Sequence, residues 1–151
     1  MARHQDNCEI CARLERLRSG ADPALIAETE TGFAVMGEWQ AWRGYAVLLC
    51  KEPATELDEL PEDFRTTFLR DMVTLAAAIR RVVNPHKLNY ECLGNQVHHL
   101  HWHIFPRYLD EDAPLQPVWD AMPLPGDTDR FDPQRHGALR DAIAAALRRL
   151  T

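Results

Sequence analysis

The order of apolar and polar positions divides the chain into segments of two periods, 3.6 residues for helices and two for strands. Cys8 to Leu17 carries a helical pattern that stops near Ser19 and Gly20, a common helix-ending pair. Short extended runs follow at Ala24 to Glu28 and Gly32 to Met36. A continuous apolar run from Tyr45 to Cys50 reads as a buried strand after a loop with Trp39, Trp42 and Gly44. The longest periodic segment opens at Pro61, a favoured first helical position, and sets Phe64, Phe68, Met72, Leu75, Ile79 and Val82 three and four apart before Pro85. That spacing predicts a helix covering the core. Lys87 to Leu93 and Val97 to Phe105 read as strands joined by a tight turn at Gly94-Asn95. Arg107 to Pro133, rich in Pro and Asp, reads as an irregular wrap anchored by Trp119, and Gln134 to Leu150 as an Ala-rich closing helix. Strands and helices segregate, so the expected fold class is α+β: a mainly antiparallel sheet of about five strands, a long covering helix, and N- and C-terminal helices. At 151 residues this is one domain, 1–151.

Candidate chemistry concentrates on the last predicted strand, which holds four of the seven histidines: His98, His99, His101 and His103. Alternation turns His99, His101 and His103 to one face, and Leu100, Trp102 and Ile104 to the other. Each imidazole brings two nitrogens that need partners and titrates near neutrality, so three in a row are poor packing material and point to function.

Composition narrows the partners. Lys and Arg total 17 against 23 Asp and Glu, and the net charge of -6 opposes binding of polymeric nucleic acid while leaving room for a small phosphorylated ligand. No apolar run nears the roughly 18 residues of a membrane span, and Met1 to Glu9 is polar, so no membrane association and a cytoplasmic location are expected. Four cysteines without a secretory signal read as thiols or metal ligands. Cys50 and Cys92 sit in apolar runs as small hydrophobes. Cys8-x-x-Cys11 has the spacing of half a tetrahedral zinc site, which needs two further ligands. His4, His86 and His136 read as ordinary surface or capping residues, and Asp110-Glu111-Asp112 as a solvated loop.

The segment Gly94-Asn95-Gln96-Val97-His98-His99-Leu100-His101-Trp102-His103-Ile104-Phe105-Pro106-Arg107 resembles the signature of the histidine triad family, His-φ-His-φ-His-φ-φ with φ apolar. The likeness extends loosely to the early Cys-x-x-Cys, the Gly44 strand, the long helix and the strand near Leu88. It implies the family's fold and a nucleotide hydrolase or nucleotidyl transferase, comparable to a diadenosine-polyphosphate hydrolase. In that reading His101 attacks the α-phosphorus of a nucleoside phosphate derivative (a dinucleoside polyphosphate, phosphoramidate or similar) and forms a covalent nucleotidyl-histidine. A neutral imidazole is a competent nucleophile, and its bond to phosphorus is labile enough for water to finish the reaction. His103 then hydrogen-bonds phosphate oxygens or helps protonate the leaving group, and His99 orients its neighbour or binds zinc. The backbone at Gly94 and the side chains of Asn95, Gln96 and Asn89 are the implied phosphate donors, with Arg107 as a possible counter-charge. Phe33 is implied to flank the base. Glu38 is implied to accept from the ribose hydroxyls, because Gly37 stands where relatives carry Asn or Asp. Zinc-bearing relatives add a histidine after the central strand and the first triad histidine to their cysteines. Here the former position reads Lys51-Glu52-Pro53, leaving Cys8, Cys11 and His99, with His4, Cys50 or Glu52 as replacements. No cofactor is required beyond this possible structural zinc, and the resemblance implies a homodimer.

Two other readings fit the histidines. A metal-dependent enzyme uses the row itself as ligands, which leaves the Gly turn and the Pro-Arg flank unexplained. A non-catalytic nucleotide-binding protein uses the same donors without turnover.

Overall fold

Helix α1 (Glu9–Arg18) buries Ile10, Leu14 and Leu17, one stripe at spacings of four and three. Cys8 caps it, its sulfur accepting the Cys11 backbone N–H at 3.3 Å. The computed structural model describes residues 7–121 and 130–151. Within them β1 (Leu25–Glu28), β2 (Gly32–Met36), β3 (Ala46–Cys50), β4 (Lys87–Glu91) and β5 (His101–Arg107) form one antiparallel sheet in the order β1-β2-β3-β5-β4. β2 and β3 are buried along their whole lengths, as their unbroken apolar sequence requires. The class is α+β, as the segregation of elements predicts.

Helix α2 (Glu62–Val83) follows Pro61 and ends at Asn84, whose φ of 45° makes a left-handed cap. It buries Phe68, Met72, Leu75 and Ile79 and lies against β2, β5 and α3 (Pro133–Arg148). No described helix is long and apolar enough to cross a membrane.

The link between β2 and β3 is held by the buried Gln40, whose Nε2 donates to the carbonyls of Gly37 (2.8 Å) and Tyr45 (2.9 Å) while its Oε1 accepts from Gly44 N–H. Trp42 packs edge-on to Phe105 in the core. Gly37 has no room for a side chain, since a Cβ there would stand 2.1 Å from Tyr45 Cδ1.

One strand differs from the sequence expectation. A two-residue turn at Gly94-Asn95 would bring Leu88 opposite His101, whereas Leu88 pairs with Pro106 and Glu91 with His103. β5 starts at His101 rather than Val97 and runs on to Arg107, and a loop spans residues 92–100. The extra residues curl back along β3, held by Cys50 N–H to Leu100 O (3.1 Å) and Leu100 N–H to Ala54 O (2.9 Å). His99 therefore sits just before the strand.

The chain beyond β5 is tied down by Arg107, which is 2% exposed. Its guanidinium binds Glu111, Asn89 Oδ1 and the carbonyls of Ala113 and Gln116. This docks Val118, fully buried, and brings Trp119 over the histidine strand.

Candidate active site

The tautomers of two histidines follow from their partners, because a carbonyl oxygen only accepts. His101 Nδ1 lies 2.7 Å from the His99 carbonyl and so carries the proton, leaving the lone pair on Nε2. His99 Nε2 lies 2.8 Å from the Cys50 carbonyl, which leaves the His99 Nδ1 lone pair facing the sulfurs of Cys8 (3.5 Å) and Cys11 (3.4 Å). The two adjacent histidines thus serve different places. His101, 9% exposed, opens on a cavity of about 250 Å³ lined also by Thr55, Glu56, Asp58, Leu93 and Gly94. Gly94, at φ 74°, makes the bend that brings the loop beside His101.

His103 shares the face of His101, with ring centroids 4.6 Å apart. Its Nδ1 is 2.7 Å from the Tyr45 hydroxyl. Burial holds the Tyr45 phenol well above its ordinary range, and His103 is the only hydrogen-bond partner of that hydroxyl among the described residues, so the O–H donates and His103 keeps its proton on Nε2. Phe105 stacks on Tyr45 at 4.0 Å, and Trp119 meets His103 edge-on at 6.2 Å. Inside this aromatic box burial, aided by nearby His101, pushes the His103 ring down to about 4.

The depressed His103 pKa has a consequence for stability. An unfolded histidine binds a proton near pH 6.5, whereas folded His103 binds one only near pH 4. Between those values the unfolded chain holds more protons, so stability falls as pH drops through the window, by up to about 3 kcal/mol from this group, and is fully retained above it. Denaturant titrations from pH 7 to 4 are expected to show this slope in the wild type. His103→Gln is expected to flatten it, and an equal slope in both proteins would show that another group carries it.

The remaining residues singled out in the sequence divide. Asn95 is exposed in the 92–100 loop, and Gln96 lines a second cavity, of about 150 Å³, shared with Cys8, Cys11, His99 and Pro53. Asn89 Oδ1 accepts from Arg107 Nη1. Arg107 is buried and directs its donors to Glu111, Asn89, Ala113 and Gln116 within the fold. Phe33 is 1% exposed beneath the Lys51 ammonium, 5.3 Å from its ring centre, and presents no surface to a base. The Glu38 carboxylate pairs with Arg130, which lies over Trp39. Sequence reasoning missed Tyr45 and Glu91, which meet His103 only through strand pairing. The available signal was a tyrosine hydroxyl in an otherwise apolar strand.

Cys8, Cys11 and His99 form the metal-ligand cluster among the described residues, with ligand atoms all within 4.8 Å of one another. Burial and the neighbouring Cys8 raise the Cys11 thiol to about 11. The donor set fits zinc: two sulfurs and one imidazole lone pair, its ring fixed from behind by a carbonyl. Cys50 and Glu52 are not in the cluster, and His4 lies outside the described residues.

Comparison with known proteins agrees with this geometry. The HIT domain matches residues 20–110. Adenosine 5'-monophosphoramidase hnt1 of Schizosaccharomyces pombe is 24% identical over 150 residues, covering 94% of this chain and 99% of its own. A histidine triad protein from Marinobacter aquaeolei VT8 superposes with a TM-score of 0.73 at 23% identity, over 89% of this chain and 96% of that one. A Zn-bound histidine triad family protein from Mycobacterium smegmatis gives a TM-score of 0.67 at 21% identity, over 96% of this chain and 98% of that one. The two structural likenesses establish a shared fold.

Proposed function

From the premise that this chain belongs to the HIT domain family, we propose that it is a nucleotide hydrolase acting at the α-phosphate of a nucleoside phosphate derivative through a covalent intermediate on His101. One observation carries the reading. The His99 carbonyl accepts a hydrogen bond from Nδ1–H of His101, so an unprotonated Nε2 is available beside the Gly94 bend and its cavity. Attack forms the Nε2–P bond as the bond to the leaving group breaks; the leaving group takes a proton from solvent, and the water consumed in the second step returns one. The positive charge that develops on the ring is stabilised through Nδ1–H to the carbonyl. Water then attacks phosphorus, the P–Nε2 bond breaks, and nucleoside monophosphate is released with return of neutral His101. His103, uncharged, offers its Nε2–H to a phosphate oxygen. Asn95, Gln96 and the Gly94 backbone supply further donors, while Asn89 and Glu38 are engaged by Arg107 and Arg130 and Phe33 is buried.

The name of the yeast relative makes adenosine 5'-phosphoramidate the first substrate to try. Mixing for seconds and quenching is expected to leave one nucleoside monophosphate covalently on the protein, read by intact mass. A folded protein that acquires no adduct from phosphoramidates, dinucleoside polyphosphates or nucleotide sugars excludes the mechanism. The orientation of His99 toward the cysteines speaks against the reading in which the histidine row converges on one catalytic metal.

Cys8, Cys11 and His99 are the residues that would hold a structural zinc, which would pin α1 to the 92–100 loop. The reading also includes a homodimer through the edge of β4, which is unpaired among the described residues and where Tyr90 is exposed. A native mass spectrum is expected at twice the 17.3 kDa chain mass with one zinc per chain. A metal-free monomer at micromolar concentration would overturn both parts.

A further inference from the structure

Beyond His103 the face ends at a carboxylate that the chemistry above does not use. Glu91 pairs with His103 across the β4–β5 ladder, and its Oε2 is buried with no hydrogen-bond partner. Its surroundings are mixed. Burial raises the Glu91 carboxyl above its usual range, against a hydrogen bond from the Trp119 indole and the more distant Arg107, which favour the charged form. The charge of Glu91 in turn opposes ionisation of Tyr45. Arg107 spends its donors on Glu111, Asn89, Ala113 and Gln116. Glu91 also lines an open groove of about 540 Å³ between β4 and the 114–117 segment, and Trp119 is 44% exposed.

A buried carboxylate oxygen without a partner costs stability, and what satisfies it is a cation or a donor brought from outside. An indole face beside a carboxylate suits an ammonium group, which gains an ion pair from one and a cation–π contact from the other. The same carboxylate repels a leaving group made of further phosphates. We infer that Glu91 and Trp119 form a subsite for a positively charged amine on the leaving group, so that the enzyme favours nucleoside phosphoramidates of cationic amines over dinucleoside polyphosphates. This inference rests on the proposed hydrolase reading and adds the substrate class to it. The subsite binds; the bond broken remains the one between phosphorus and the leaving group.

The test compares kcat/KM for two adenosine 5'-phosphoramidates, one of butylamine and one of 1,4-diaminobutane, whose second amine is protonated at pH 7.5. Diadenosine tetraphosphate serves as the anionic case. The wild type is expected to favour the diaminobutane compound about tenfold, the size of one partly buried ion pair. Glu91→Gln is expected to bring that ratio close to one, and Glu91→Lys to invert it and improve relative use of the tetraphosphate. Equal ratios in wild type and Glu91→Gln, with His101 still forming its adduct, overturn the subsite alone. Failure of every compound to give an adduct overturns the hydrolase reading and the subsite with it.

Discussion

His101→Ala is expected to reduce turnover of adenosine 5'-phosphoramidate by at least about 10³-fold and to abolish the covalent adduct. The large effect has a specific source. The substitution removes the only imidazole of the pair whose Nδ1 proton is committed to a carbonyl, so no other ring offers an Nε2 lone pair at that position. His103 does not take over, because the Tyr45 hydroxyl holds its proton on the opposite nitrogen. Nucleotide affinity is expected to survive within a few-fold, since the Gly94 bend remains. The readouts are single-turnover rate, intact mass and product-nucleotide binding by calorimetry. A variant that still turns over at a tenth of the wild-type rate would sink the covalent route, and a wild type that binds nucleotide but turns over nothing would leave a pure binding protein. His103→Ala separates support from attack: it is expected to slow the reaction while leaving a detectable adduct.

Arg107→Met is expected to destabilise the protein by about 3 to 5 kcal/mol, which for a chain of this size lowers the melting temperature by roughly 10 °C or more. The guanidinium is 2% exposed and its Nε meets both Glu111 carboxylate oxygens at 3.0 Å. Nη1 reaches Asn89 at 2.8 Å and the Gln116 carbonyl at 2.7 Å, and Nη2 the Ala113 carbonyl at 3.0 Å. Removing it leaves Glu111 with only the Tyr108 N–H, strands the Asn89 side-chain oxygen and two carbonyls, and frees the segment that positions Trp119. Lysine is not expected to rescue, because a single ammonium cannot reproduce the planar fork. Arg107→Met with Glu111→Gln should recover part of the loss, since the under-paired carboxylate is then gone. A melting temperature within 2 °C of wild type would show that these bonds contribute little net stability.

Much of this architecture is visible in one dimension. The α2 stripe from Phe64 to Val82, the apolar runs of β2 and β3, the N-terminal helix and the α+β class are all local patterns, because a helix repeats over four residues and a strand over two. The spacing of His99, His101 and His103 and the Cys8-x-x-Cys11 pair are local in the same sense. Alternation alone, however, assigns three histidines to one face over any stretch that stays extended, and it carries no information on where pairing begins. Here the β4–β5 register leaves His99 outside the strand, so its ring meets the cysteines instead of joining the row.

What this sequence determined unaided is the helices, the apolar strands β2 and β3, and the spacing of the histidines and cysteines, since those follow from side-chain type and spacing along the chain. Tertiary structure alone decided the assignment of His99 to sulfur, the Tyr45 hydroxyl on His103, the capture of Arg107 by its own tail and the burial of Glu91 beside Trp119. Each of those contacts joins positions set by strand register or by docking of a distant segment, and free energies of that kind depend on the packing of the whole domain rather than on neighbours in the chain.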